Sequence, residues 1–325
     1  MMTESLLSVR DLKVHFPIGK GLLAGAKGAV KAVDGVSFDL RPGETLGIVG
    51  ESGCGKSTLG RAILRLTKPT AGTVVWLGQD FFGLDKATLR KARRELQIIF
   101  QDPLASLDPR MTVGAIIARP LRTFHPELKK AALDARVKEA MAQVGLAPEM
   151  MRRYPHEFSG GQCQRIGIAR AMILRPKLIV CDEPVSALDV SIQAQIINLL
   201  RKLQAELGLS LLFISHNLSV VRHISHRVMV LYLGKIMEIA ERDAFYANPM
   251  HPYSKALISA IPLPDPKAER ARERVMLQGD LPSPLDPPTG CRFCTRCPIA
   301  TDLCHTSEPP LAPRADGRLV ACHFV

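Results

Sequence analysis

With 325 residues and 46% hydrophobic content, the chain can bury a large core and divide into two or three lobes. No uninterrupted apolar run approaches the ~18 residues that a membrane-crossing helix needs, and no signal-peptide pattern opens the chain, so a cytosolic or peripheral protein is expected. The net charge of +12 lies in the first 240 residues, with 33 Lys+Arg against 21 Asp+Glu; Glu241–Val325 balances at 10 against 10. Clusters such as Lys91-Ala92-Arg93-Arg94 lack interleaved aromatics, which disfavours nucleic-acid recognition by base stacking and leaves a solvated surface or a face beside an anionic membrane leaflet.

Glu44-Thr45-Leu46-Gly47-Ile48-Val49 predicts a short buried strand, and Thr58-Leu59-Gly60-Arg61-Ala62-Ile63-Leu64-Arg65-Leu66 has helical spacing. Between them Gly50-Glu51-Ser52-Gly53-Cys54-Gly55-Lys56-Ser57 fits the phosphate-loop pattern G-x-x-x-x-G-K-[ST]. The glycines let backbone N–H groups turn around an anion, Lys56 supplies a point charge for the outer phosphates, and the Ser57 hydroxyl suits a Mg²⁺. These features predict a nucleoside triphosphate binder.

Leu96–Phe100 predicts a further strand, and residues from about 102 to 160 predict an inserted helical lobe. Within it Leu133, Val137, Met141 and Val144 recur at helical spacing and Gly145 suits the helix end. Ser159 is a good N-cap for a helix over Gln162–Leu174. The apolar run Leu178–Cys181 predicts a central parallel strand that ends in Asp182-Glu183-Pro184, with Asp182 placed for the Mg²⁺ shell and Glu183 for the base that positions the attacking water. Leu211–Ser215 is another apolar strand. Residues 1–100 and about 165–240 are therefore expected to form one twisted sheet core in an α/β, P-loop NTPase fold.

Phe158-Ser159-Gly160-Gly161-Gln162 resembles the signature peptide of the ABC (ATP-binding cassette) family. The resemblance implies a RecA-like sheet core with a helical signature subdomain at about 102–165. It also implies that Phe16 stacks on adenine, that Gln101 is the Q-loop glutamine touching Mg²⁺ and a transport partner, that Ser186-Ala187-Leu188-Asp189 is the D-loop, and that His216 contacts the γ-phosphate. Nucleotide contacts then fall to Phe16, Gly50, Glu51, Ser52, Gly53, Cys54, Gly55, Lys56, Ser57, Thr58, Gln101 and Asp182, with Ser57, Gln101 and Asp182 around Mg²⁺ and Glu183, Gln101 and His216 in hydrolysis. Ser159, Gly160, Gly161 and Gln162 would complete the phosphate site of a second cassette. One phosphate loop and one signature peptide make half of such a motor, so the resemblance implies a second cassette in trans.

Beyond residue 240 the composition changes: 13 of the 24 prolines lie between Pro249 and Pro313, which predicts an irregular extension poor in core. Cys291, Cys294, Cys297, Cys304 and Cys322 crowd its last 35 residues. In a reducing compartment they suggest a metal site before disulfides, with tetrahedral Zn²⁺ and an iron–sulfur cluster both compatible with the spacing. Cys54, Cys163 and Cys181 are expected to be ordinary small side chains. The segments His251-Pro252-Tyr253-Ser254-Lys255-Ala256-Leu257, Gly279-Asp280-Leu281-Pro282-Ser283-Pro284 and Gly290–Pro298, followed by Cys304 and Val320-Ala321-Cys322, resemble the C-terminal extension of dipeptide- and oligopeptide-importer ATPase subunits, most of all the dipeptide branch. That resemblance implies a [4Fe-4S] cluster on Cys291, Cys297, Cys304 and Cys322, with Cys294 a spare or competing ligand.

The expected organisation is an ATP-binding domain over 1–240 and an extension over 241–325. The implied partners are a homologous second cassette, two permease subunits and, indirectly, a periplasmic or extracellular peptide-binding protein, at the cytoplasmic face of the inner membrane and without nucleic acid. A soluble cassette ATPase acting on nucleic acid or ribosomes is the rival; it calls for a second cassette or a long coiled-coil insertion, and this sequence shows neither. Because the cysteines lie outside every nucleotide motif, their loss is expected to affect assembly or stability more than hydrolysis.

Overall fold

A computed structural model of the chain describes residues 5–18, 28–262, 265, 267, 270, 277 and 279–325. Its contacts separate two compact units: Met1–Leu40, Thr45–Phe82 and Ser215–Val325 in the first, Arg41–Glu44 and Gly83–Ile214 in the second. Among the described residues no helix is long and apolar enough to cross a membrane.

In the first unit β1 (Leu7–Pro17), β2 (Ala29–Leu40), β4 (Ala71–Trp76) and β5 (Gln79–Asp80) form a separate antiparallel sheet in the order β2-β1-β4-β5. One twisted sheet is therefore a correction: the N-terminal strands alternate buried and exposed positions, with Leu7, Val9, Leu12 and Val14 inward, the pattern of a half-covered antiparallel sheet. β3 (Thr45–Val49) is buried along its whole length and pairs parallel with β9 (Arg227–Tyr232), which is joined in antiparallel fashion to β10 (Lys235–Glu241). α1 (Lys56–Ile63) follows β3, and α7 (Leu218–Ile224) precedes β9.

The Pro-rich extension contributes regular structure despite its composition. It carries α8 (Arg242–Ala247), α9 (Pro252–Ser259) and the short strands β11 (Ala312–Pro313) and β12 (Leu319–Val320), and β12 pairs with β10. Phe245, Tyr253, Phe293 and Val320 are fully buried. Glu238 of β10, also fully buried, accepts hydrogen bonds from the His251 N–H at 2.9 Å and Arg318 Nη1 at 3.3 Å, so a buried carboxylate ties the extension to the sheet.

In the second unit β6 (Leu96–Ile99), β7 (Leu178–Asp182) and β8 (Ser210–Ile214) pair in parallel, with β7 central. The helices are α2 (Lys86–Glu95), α3 (Val113–Phe124), α4 (Lys130–Gln143), α5 (Gly160–Met172) and α6 (Val190–Leu207). Leu133, Val137 and Met141 form the buried stripe of α4, followed by buried Val144 and by Gly145 at φ 74°, as the spacing predicts. Asp85 caps α2 by accepting from the N–H groups of Ala87 and Thr88.

α6 ends at Gly208, whose φ of 62° places it in the left-handed region while its N–H bonds the Gln204 carbonyl. A Cβ there would meet nothing within 4 Å, so Gly208→Ala tests backbone strain alone. Left-handed strain of about 1–2 kcal/mol, partly offset by the lower entropy of the unfolded chain, should destabilise the protein by about 1 kcal/mol net. A fall in thermal midpoint measured by scanning calorimetry checks it.

Candidate active site

The strand–loop–helix expected around residues 44–66 is present in the first unit, from β3 through residues 50–55 to α1. Two glycines are fixed there by contact as well as by conformation. Gly50 has φ 153° and Gly55 φ 103°; a Cβ on Gly50 would collide with the Leu231 carbonyl, and one on Gly55 with that of Ala32. Lys56 is buried, and its ammonium donates to the carbonyls of Gly50 at 2.8 Å and Glu51 at 2.9 Å. Cys54 is packed beneath the loop, where burial pushes its thiol pKa up although Lys56 opposes the shift.

Ser57 opens α1 directly after the lysine. Phe16, near the end of β1, is 43% exposed, so it is not a core aromatic. His216 is exposed just after Ser215, whose N–H bonds the Ile48 carbonyl of β3 at 3.1 Å. The next residue, Asn217, caps α7 by accepting from the Val220 N–H.

In the second unit Asp182 is the buried last residue of β7. Glu183 follows with φ 47°, a conformation unusual for a side-chain-bearing residue, and its N–H bonds the Ile214 carbonyl of β8 at 3.1 Å. Such strain persists where the surroundings impose it, often at functional positions. Gln101 Nε2 donates to Glu183 Oε2 at 3.1 Å; the sequence reading gave these two residues related roles without foreseeing that they touch. The segment Ser186–Asp189 ends at Asp189, which precedes α6 without a side-chain cap bond.

Ser159 and Gln162 form a reciprocal capping box on α5: Ser159 Oγ accepts from the Gln162 N–H at 3.3 Å, and Gln162 Oε1 from the Ser159 N–H at 2.9 Å. The two glycines between them differ. Gly160 is exposed and Gly161 is buried, where an added Cβ would lie 2.6 Å from Ile192 Cγ2 on α6. Gly161 therefore serves helix packing, and Ser159 with Gly160 forms the outward part of the signature.

The five C-terminal cysteines line one small pocket. Their chemistry suits a thiolate-binding metal, but their arrangement does not support the expected ligand set of Cys291, Cys297, Cys304 and Cys322. Among the described residues no group of three or more His, Cys, Asp or Glu side chains is arranged to hold a metal ion. Burial pushes the Cys291 thiol up to about 12, with Cys304, Cys294 and Cys297 adding to the shift.

Sequence reasoning missed a connection at this pocket. Arg296, between Cys294 and Cys297, bonds the Glu51 carboxylate of the phosphate loop at 2.8 Å, and the Tyr253 hydroxyl accepts from the Glu51 N–H at 2.9 Å. The cysteines lie outside the nucleotide motifs in sequence, yet the segment that carries them is in contact with one. The signal available was the pair of oppositely charged residues, but nothing in their spacing joins them.

A glycine loop closing on a buried lysine, a strained glutamate held by a glutamine and a capped signature helix define a phosphate-loop ATPase of the cassette type. The ABC transporter family model matches residues 33–186, and that of the oligopeptide/dipeptide transporter C-terminal region matches residues 237–304. The chain is 60% identical over 308 residues to the oligopeptide transport ATP-binding protein OppF of Salmonella typhimurium, covering 94% of this chain and 92% of that protein. It is 55% identical over 322 residues to the oligopeptide transport ATP-binding protein AppF of Bacillus subtilis, covering 99% and 98%. Among solved structures, a post-hydrolysis dimer of the ATP-binding cassette MJ0796 bound to ADP and Pi superposes with a TM-score of 0.65 at 28% identity, covering 73% of this chain and 98% of that one. The chain belongs to the ABC transporter family, in its oligopeptide/dipeptide-transporter ATP-binding branch.

The contrast between the signature glycines is testable by thermal melting. Gly160→Ala adds a Cβ in ordinary contact with Leu188 Cδ2 at 3.6 Å and should be neutral or slightly stabilising, since alanine favours the helix. Gly161→Ala overpacks α5 against Ile192 and should cost about 1–3 kcal/mol.

Proposed function

We propose that this chain is the ATPase subunit of a peptide importer, binding and hydrolysing ATP at the interface with a second, homologous cassette and driving two permease subunits from the cytoplasmic face of the membrane. The observation that carries this reading is the conjunction, in one chain, of the cassette region at 33–186 and the peptide-transporter C-terminal region at 237–304. On this reading residues 1–240 are the ATP-binding domain, with a helical subdomain at about 102–165, and 241–325 the extension. Solute reaches the permeases from a peptide-binding protein on the other side, and nucleic acid has no part.

The site residues take separate roles. Lys56 and the N–H groups of Gly53, Cys54, Gly55, Ser57 and Thr58 bind the phosphates, with Glu51 and Ser52 in the same loop. Phe16 stacks on the base. Ser57, Asp182 and Gln101 would hold a Mg²⁺, which would supply charge neutralisation to the triphosphate. Glu183 accepts the proton of the attacking water, its carboxylate oriented by the Gln101 bond. His216 contacts the γ-phosphate. Ser159, Gly160 and Gln162 present the signature helix to the partner's nucleotide, with Gly161 as the packing residue beneath them.

Lys56→Ala should weaken ATP binding. Glu183→Gln should leave binding intact and slow turnover by roughly 10²-fold or more. Turnover by the isolated subunit should be feeble and rise when the second cassette and permeases are added. Equal hydrolysis by wild type and Glu183→Gln in the assembled complex overturns the assignment, and stimulation by nucleic acid in place of membrane partners favours the soluble rival.

For the cysteine pocket the proposed occupant is a [4Fe-4S] cluster on Cys291, Cys297, Cys304 and Cys322, with Zn²⁺ the alternative and Cys294 a spare. The support is the convergence of five thiols on one pocket; metal binding requires their deprotonation and closer approach. Anaerobically purified protein should contain equal iron and acid-labile sulfide, and Cys322→Ser should lose both. Stoichiometric zinc without iron overturns the cluster.

A further inference from the structure

We infer that Arg296 and Tyr253, both carried by the C-terminal extension, are positioning residues for the phosphate loop and act on it through Glu51. The inference rests on residues 50–57 being the loop that binds the triphosphate.

Glu51 has three polar groups, and each has a partner. Its carboxylate accepts from Arg296 Nη1 at 2.8 Å, its N–H donates to the Tyr253 hydroxyl at 2.9 Å, and its carbonyl accepts from the Lys56 ammonium at 2.9 Å. Two of these partners belong to the extension and the third is the phosphate-binding lysine. A residue held at three points has little freedom to rotate, so one of the two carbonyls that hold Lys56, that of Glu51, is itself fixed by the extension.

Both anchors are rigid. The Tyr253 ring is fully buried, 4.8 Å from Tyr232 and 5.3 Å from Phe293 between centroids. Arg296 lies over the Tyr232 ring at 5.9 Å, on a turn that follows fully buried Phe293. Its side chain is 9% exposed and that of Glu51 29%, so bulk solvent screens the pair less than an ordinary surface ion pair.

The charge arithmetic gives the arrangement a purpose. A bare carboxylate at the second position of a phosphate loop opposes a polyanion, and Arg296 cancels that charge while fixing the group that carries it. If Arg296 only stapled the extension, its removal would lower stability without singling out ATP. If it neutralises and orients Glu51, its removal raises the KM for ATP, and removing the Glu51 charge as well restores much of the loss.

The test uses the assembled transporter, with kcat and KM for ATP measured for Arg296→Ala, Arg296→Lys, Glu51→Gln and the Arg296→Ala/Glu51→Gln double variant. Loss of one partner of a charge-assisted bond should raise KM about tenfold in Arg296→Ala, with kcat changed by less than about twofold. Arg296→Lys should retain most of the wild-type KM, and in the Glu51→Gln background Arg296→Ala should have little further effect. Tyr253→Phe, which keeps the ring and removes only the hydroxyl, should raise KM by a smaller factor. An unchanged KM in Arg296→Ala, or an equal rise with and without the Glu51 charge, overturns the inference. Lys56→Ala serves as the reference: if it leaves ATP binding intact, the phosphate-loop assignment itself falls, whereas loss of binding there with a silent Arg296→Ala sinks only the positioning role.

Discussion

The loop between β3 and α1 runs against the carbonyls of Leu231 and Ala32 with no room for a side chain at Gly50 or Gly55. Leu231 lies on β9 and Ala32 on β2, so the loop takes its shape from two strands in different sheets. The residues next to those contacts are gripped by the extension. Tyr232 is packed edge-on against Phe293 at 5.3 Å, Asp34 accepts from Arg292 Nη2 at 2.5 Å, and the Lys31 N–H bonds the Pro284 carbonyl. Both walls of the phosphate loop are thus held from the same segment, which also reaches the loop directly at Glu51.

Buried ion pairs are weak evidence of net stability, because desolvation opposes the attraction, but breaking one side is costly. Asp34 shows the balance: burial raises its pKa, yet His15, Lys235 and Arg292 together hold the carboxyl below its usual value. Such pairs specify where the extension sits more than how tightly. That suits a segment rich in prolines, since a small aromatic cluster provides contact area and the charged pairs provide register.

What could be read in the sequence was whatever depends on residues close in the chain. The phosphate loop, the buried strand ending at Asp182, the Ser159 cap and the α4 stripe are local patterns, and each has its expected element. What could not be read depends on tertiary contact. Gly160 and Gly161 are alike in sequence, and only the approach of Ile192 assigns one to the surface and the other to packing. The left-handed backbone of Glu183 and its bond from Gln101, 82 positions away, arise from strand pairing and loop closure. The division of the strands into two sheets turned on whether an apolar pattern alternates or runs continuously, a distinction the short segments before residue 50 carried only weakly.

The cysteine pocket shows the same boundary from the other side. Clustering of five cysteines is legible from their positions, and all five line one pocket; whether they bind as thiolates is not a property of spacing. Neutral buried thiols behave as small apolar groups and pack without a metal, whereas thiolates packed together repel until a cation joins them. The extension is anchored independently by β12 on β10, by Arg318 on Glu238 and by the Tyr232–Tyr253–Phe293 cluster. Its order therefore does not rest on a bound cofactor alone. The turn between Cys294 and Cys297 carries Arg296, the residue that holds Glu51, so the pocket lies one side chain away from the phosphate loop.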